Sequence, residues 1–293
     1  MAGPENLMED PTTRLLQERV HRLYRHLPRA LAGEAESLHQ MRVAARRLRV
    51  ALSLLVPKPE GKRTRRVLRL LRDLASVGGR SRDVDVAAAM LEERLRQAPT
   101  AGLQVLVHDL HRARGRRRLR LGGELLDLDI ARLRRDLRTI LARGGESSFR
   151  VLGRIRDATA AEEANLVDAL DGVGDAFDPT RLHAIRVRFR RLRYTAELLD
   201  VLQGRKSGAP ETFRAMQEVI GSLHDAVLLA EWLERKAERA AAAGREHLVQ
   251  CAQNERALAL ERARSYHHAF LVQAPRDLLG RGLEAMAPSR GAA

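Results

Sequence analysis

Apolar residues along most of this chain return every three or four positions, the spacing that gathers them on one side of an α-helix. Gly and Pro interrupt that rhythm and divide it into segments. The first half reads as helices over 12–31, 36–56, 61–77, 83–97, 100–121 and 127–143. The second half reads as helices over 148–171, 179–203, 209–221, 224–243 and 245–272. Helix ends are expected at Gly33, 57–61, Gly78-Gly79, Pro99, Gly122-Gly123 and Gly144-Gly145, and later at 172–179, 204–210, Gly221 and Gly244. Asp178 followed by Pro179 supplies an N-cap and a first helical residue. Period-two alternation is absent and β-branched and aromatic residues are scarce, so the expected fold is all-α with no strand. The short, Gly-containing stretch 276–293 is expected to be a loosely held tail.

One segment is written twice. LHQMRVAARRLR at 38–49 returns as LHAIRVRFRRLR at 182–193, about half the chain further on. Leu, His, Arg, Val, Arg, Arg, Leu and Arg occupy matching places. The two halves also share an order: a lead helix, the His/Arg helix, a short helix and two longer ones. A repeat of this kind predicts two helical bundles, 12–143 and 147–275, related by a pseudo-twofold axis. A weaker match joins LASVGGRSRDVDV (74–86) to MQEVIGSLHDAVL (216–228), pairing Val77 with Val219, Gly79 with Gly221, Asp83 with Asp225 and Arg82 with His224. Here the glycine is expected to end one helix and the aspartate to sit in the first turn of the next, where the helix dipole favours it. Arg82 and His224 are secondary candidates for reaching a ligand.

Helical geometry turns the repeat into two faces. At about 100° per residue, His39, Arg42, Arg46 and Arg49 lie within roughly 80° of arc, a cationic ridge about 15 Å long. Leu38, Met41, Ala45, Leu48, Leu52 and Leu55 fall on the other side. In the second copy His183, Arg186, Arg190 and Arg193 form the ridge, while Leu182, Ile185, Phe189, Leu192, Ala196 and Leu199 form the apolar stripe. Arg47 and Arg191 flank the ridges. Solvated helix faces ordinarily mix both signs, with acids and bases paired at i,i+4. No acid interrupts either ridge between its histidine and its last arginine.

Composition narrows the ligand class. The 293 residues carry a formal charge of +15, with four lysines and 49 arginines. GC-rich coding can inflate arginine, so its placement matters more than its count. An excess of this size calls for an acidic partner: nucleic acid, an anionic membrane surface or an inorganic polyanion. Arginine suits phosphate because its planar fork donates two parallel hydrogen bonds and stays charged. Cys251 is the only cysteine, which rules out an intrachain disulfide and a multi-cysteine metal site. The N-terminal residues lack the basic and apolar regions of a signal peptide, and no apolar run approaches a membrane span. A cytoplasmic protein is expected.

The H-x-x-R-V-x-x-R-R-L-R helix occurring twice, each copy followed by a G-x-x-[RH]-D segment, resembles the CHAD family, named for histidines in an α-helical domain. The resemblance spans about residues 12–275. It implies two four-helix bundles packed about a twofold-like axis with a basic groove or pore between them, binding of inorganic polyphosphate, and residence at polyphosphate granules. Carried over position by position, His39, Arg42, Arg46, Arg49, His183, Arg186, Arg190 and Arg193 would line the basic surface. Some relatives join this module to a CYTH triphosphatase domain that opens on an acid-x-acid-x-Lys strand. Nothing like that strand occurs here, so no phosphohydrolase activity, catalytic residue, metal site or cofactor is expected.

Polyphosphate has roughly one charge per unit and no bases, so its binder needs closely spaced donors and no stacking platform. Aromatic residues are 3% of the chain, which disfavours single-stranded nucleic acid. RNA binding through the same basic surface remains the main alternative. A histidine phosphotransfer bundle needs one helix histidine, whereas this chain repeats the whole ridge. Glu36 and His39 have the Glu-x-x-His spacing of di-iron bundles, but Thr180 stands at the second glutamate position. One histidine in each ridge predicts that affinity for a polyanion rises as pH falls toward about 6.

Overall fold

The computed structural model describes residues 10–174 and 177–287. Among the described residues it contains ten α-helices and no strand. They are α1 (Pro11–Leu31), α2 (Ala35–Leu55), α3 (Lys62–Gln97), α4 (Ala101–Leu126), α5 (Ile130–Leu141), α6 (Ser148–Asp171), α7 (Pro179–Gln203), α8 (Ala209–Ala242), α9 (Glu246–Val272) and α10 (Pro275–Met286). The all-α expectation holds.

Three expected breaks are absent. α3 runs through Gly78-Gly79, α4 through Gly122-Gly123 and α8 through Gly221. Asp83 and Asp225 therefore sit inside helices, and the first-turn dipole role is corrected. An interior glycine costs a helix about 1 kcal/mol relative to alanine, which long flanking runs of helix formers tolerate. Gly78 also has a packing reason: a Cβ there would lie 2.6 Å from Cγ and Cδ of Arg42. The expected loose tail is corrected as well. Residues 275–286 form α10, started by Pro275 and anchored by buried Leu279 and Met286. A Cβ on Gly282 would meet the Phe213 ring at 2.4 Å, so α10 lies hard against α8. The rest of the tail, from 288 on, lies outside the described residues.

The chain divides into two compact units whose pieces alternate in sequence. The first comprises the described residues up to Gly79, Leu121–Ala160 and Tyr194–Lys206. The second comprises, among the described residues, Arg80–Arg120, those of Ala161–Arg193 and those from Ser207 onward. Four of the boundaries fall within α3, α4, α6 and α7, and the last falls between α7 and α8.

In the first unit α1 packs on α2 and on α5. Asp10 caps α1 at the Thr13 N–H (3.3 Å). The Thr12 hydroxyl donates to the Glu146 carbonyl (2.7 Å), tying the start of α1 to the segment before α6. α2 is fixed at both ends. The Ser37 hydroxyl donates to Glu34 (3.1 Å) at its N-terminus. At its C-terminus the Arg154 guanidinium donates to the carbonyls of Val56 (2.6 Å) and Leu54 (3.3 Å), where the helix dipole favours a cation.

In the second unit α8 packs along α9, and α10 covers both. Its core joins Ala87, Ala88 and Leu91 of α3, Leu103, Leu106, Val107 and Leu110 of α4, Leu229, Ala230, Leu233 and Ala237 of α8, and Ala252 and Ala259 of α9. This is a four-helix core that draws two helices from each sequence half. The alanines let the backbones approach closely, and each fully buried leucine contributes about 2 kcal/mol. The cap foreseen for α7 is present: Asp178 accepts from the N–H groups of Thr180 (2.9 Å) and Arg181 (3.1 Å).

Candidate functional site

Both repeats form single helices with the expected sidedness. On α2, Leu38, Met41, Ala45, Leu48, Leu52 and Leu55 are all buried. On α7, so are Leu182, Ile185, Phe189, Leu192, Ala196 and Leu199. With the apolar stripes committed to the core, the cationic residues take the remaining face. His39 is exposed, Arg46 and Arg49 are half-buried, and Arg42 is buried at 5% exposure. His183 is exposed and Arg186, Arg190 and Arg193 are half-buried. α2 belongs to the first unit, and α7 as far as Arg193 belongs to the second.

The flanks are held by carboxylates. Arg47 donates to Glu197 at 2.8 Å, with its Nε 2.7 Å from the other oxygen, and its guanidinium stands 5.5 Å from the Tyr194 ring centre. Burial opposes the Arg47 charge, but the bond and field of Glu197 outweigh it and lift the Arg47 pKa. Arg19, 6% exposed, lies in the same neighbourhood. Burial pulls its pKa below the ordinary arginine value, Glu197 counteracts that, and Arg47 adds to it. Beside the second ridge, Arg191 (2.7 Å) and Arg188 (3.1 Å) share Glu162 of α6. These arginines orient the ridge helices. Neither carboxylate was singled out by the sequence pattern, because each lies outside the repeated segment.

The second ridge leans on α8. The His183 and His224 rings are 4.7 Å apart between centroids, and the Arg186 guanidinium passes over Gly221, where a Cβ would lie 3.6 Å from it. Arg82 grips Asp225 with two hydrogen bonds of 3.0 and 2.9 Å. Arg82 and His224 thus stand beside the second ridge, Arg82 as the bidentate partner of a carboxylate. Burial, reinforced by Arg186 and His183, pushes the His224 pKa down to about 4, against the pull of Asp225. His224 is neutral near pH 7 and can accept or donate one hydrogen bond without adding charge.

A cluster absent from the sequence reading lies in the first unit. Lys58, Lys62, Arg63, Arg66 and Arg143 line one cleft with Gly61, Thr64 and Ile140. Its signal in the sequence is KPEGKRTRR at 58–66, where two of the four lysines fall. Among the described residues, no group of three or more His, Cys, Asp or Glu side chains could hold a metal ion. No helix there is long and apolar enough to cross a membrane.

An all-α chain with a doubled His/Arg helix defines a class of helical domain that comparison with known proteins identifies. Residues 14–234 match the CHAD domain family, and the chain belongs to it. Two uncharacterized Mycobacterium tuberculosis proteins, from strains CDC 1551 and H37Rv, are each 30% identical over 268 residues. The match covers 81% of this chain and 47% of theirs, so the chain spans about half the length of these curated relatives. The crystal structure of the CHAD domain from the plant Ricinus communis shares the fold at a TM-score of 0.60 and 22% identity, covering 95% of this chain and 91% of that one. PptA from Streptomyces chartreusis does so at 0.67 and 17%, covering 89% and 98%.

Proposed function

We propose that this chain binds inorganic polyphosphate through the ridges His39, Arg42, Arg46, Arg49 and His183, Arg186, Arg190, Arg193. It acts as a binder rather than an enzyme, and it directs itself to polyphosphate granules in the cytoplasm. The observation that carries this reading is the recurrence, on α2 and α7, of a His/Arg face without acids beside a fully buried apolar stripe. Membership of the CHAD family supports it. So does the 3% aromatic content, which leaves little for base stacking.

Titration calorimetry with long-chain polyphosphate tests it. Each charge-assisted bond is worth about 1.5–3 kcal/mol, so Arg46→Ala and Arg190→Ala should each weaken binding about tenfold or more, and Arg205→Ala, outside the ridges, far less. Affinity should fall steeply with salt through counterion release, and the polymer should raise the melting temperature. Equal affinity in wild type and both ridge variants overturns the reading. RNA that displaces polyphosphate, while excess polyphosphate fails to displace RNA, assigns the ridges to nucleic acid.

A further inference from the structure

The cleft of about 410 Å³ beside the start of α3 has five cations on its wall. Asp136 of α5, 7% exposed, accepts from Arg66 at 2.7 and 2.9 Å and from Arg63 at 3.3 Å. That one carboxylate fixes two guanidinium groups in place. Lys58, Lys62 and Arg143 are exposed, and among the described residues none of them has an ion-pair partner. Their backbone is nonetheless fixed. The buried Thr64 hydroxyl (3.0 Å) and the Gly61 N–H (3.1 Å) both donate to the Lys58 carbonyl, closing the turn that sets Lys58 and Lys62 on the same cleft. Like charges gathered this way repel one another until an anion arrives.

We infer that this cleft is a second anion site, separate from the His/Arg ridges, that takes a short inorganic phosphate chain through Lys58, Lys62 and Arg143. Lysine serves phosphate as a point charge with three donors, and the anchored Arg63 and Arg66 add field from one side. The lining includes no aromatic ring and one apolar side chain, Ile140, so it offers no platform for a nucleobase. A single phosphate occupies a few times the ~30 Å³ share of a water molecule, so the cleft has room for several linked phosphates. None of its residues belongs to either ridge, so the site stands or falls independently of the ridge reading.

Titration calorimetry with sodium tripolyphosphate, at ionic strength matched with sodium sulfate, tests the inference on the full chain. The triple variant Lys58→Ala, Lys62→Ala, Arg143→Ala should lose at least about tenfold in tripolyphosphate affinity. Its melting temperature should match wild type, because all three side chains are exposed. The ridge variant Arg46→Ala, Arg190→Ala should keep its tripolyphosphate affinity while losing affinity for long-chain polyphosphate. Unchanged tripolyphosphate binding in the triple variant, or no saturable binding by wild type, overturns the site. If the ridge variant keeps its long-chain affinity and the triple variant loses tripolyphosphate, the ridge reading fails and the cleft stands.

Discussion

The two His/Arg helices have nearly the same sequence but are solvated differently. On α2 the arginine after the histidine, Arg42, is buried and lies against Gly78. On α7 its counterpart Arg186 is half-buried and passes Gly221 at ordinary contact distance. The α2 flank shares its carboxylate, Glu197, with the buried Arg19, whereas the α7 flank shares Glu162 with arginines that reach water. The α7 ridge has a neutral histidine, His224, at its side, and the aligned position in the first repeat is Arg82. A repeated motif therefore preserves the direction of its cations without preserving how much each depends on the protein for charge compensation.

The largest expected break in this comparison is at the flanking carboxylates. Glu197→Ala removes the counter-charge of Arg47 and the main stabilising field on Arg19, leaving a buried guanidinium beside the cations Arg47 and Arg22 with only the weaker field of Glu18 in its favour. We expect a loss of about 3 kcal/mol, measured by urea unfolding. Glu162→Ala frees Arg188 and Arg191, whose side chains are 34% and 54% exposed. Those can hydrate, so a loss of about 1 kcal/mol or less is expected. Equal losses would mean that burial of Arg19 does not distinguish the two flanks.

The glycines come next, with opposite signs. Gly78→Ala puts a methyl group 2.6 Å from Cγ and Cδ of Arg42 and 3.3 Å from Leu38. Those atoms are the stem of a buried side chain, not a mobile tip, so overpacking should cost about 1–3 kcal/mol. Gly221→Ala meets only the Arg186 guanidinium, at 3.6 Å. The gain in helix propensity then prevails, and stability should rise by about 0.5–1 kcal/mol. Thermal unfolding of the two variants side by side reads the difference.

That pair also marks how much was legible in the sequence. The all-α fold, the sidedness of α2 and α7, and the Asp178 cap followed from periodicity and local chemistry, which depend on neighbours within a few positions. Gly33 and Gly244 end helices as expected, each with positive φ (84° and 65°). Gly78 and Gly221 look the same on paper, yet they lie inside helices beside an arginine stem and a guanidinium. A glycine that turns the chain and a glycine that admits a neighbour are written with the same letter, and only the packing separates them. For the same reason Glu197 and Glu162 were missed: their arginines are far away in sequence. The order of α10 is not legible locally, because the helix draws its stability from packing on Phe213 of α8. The mixed core of the second unit was hidden too, since apolar stripes say that a helix is buried but not which helix buries it.

The smallest effect separates the ridges by pH. His224 titrates at about 4 in the folded chain, against about 6.5 for an unperturbed histidine in the unfolded one. Between those values the unfolded state binds more protons. The stability contributed by keeping His224 neutral is complete above about pH 6.5 and is lost progressively as pH falls toward 4. Burial is the main cause of this depression; Arg186 and His183 on α7 and Arg82 on α3 add to it, and Asp225 on α8 alone favours the proton. His224→Gln keeps a polar side chain that cannot titrate, so its melting temperature should fall less than that of wild type between pH 7 and pH 4.5. Bound polyphosphate should shrink the same difference, because an anion over the α7 ridge offsets Arg186 and His183 and raises the His224 pKa toward its ordinary value. A wild-type slope that matches His224→Gln without polymer would place the acid sensitivity elsewhere in the chain. A difference that persists unchanged with polymer bound would place the polymer away from His183 and Arg186.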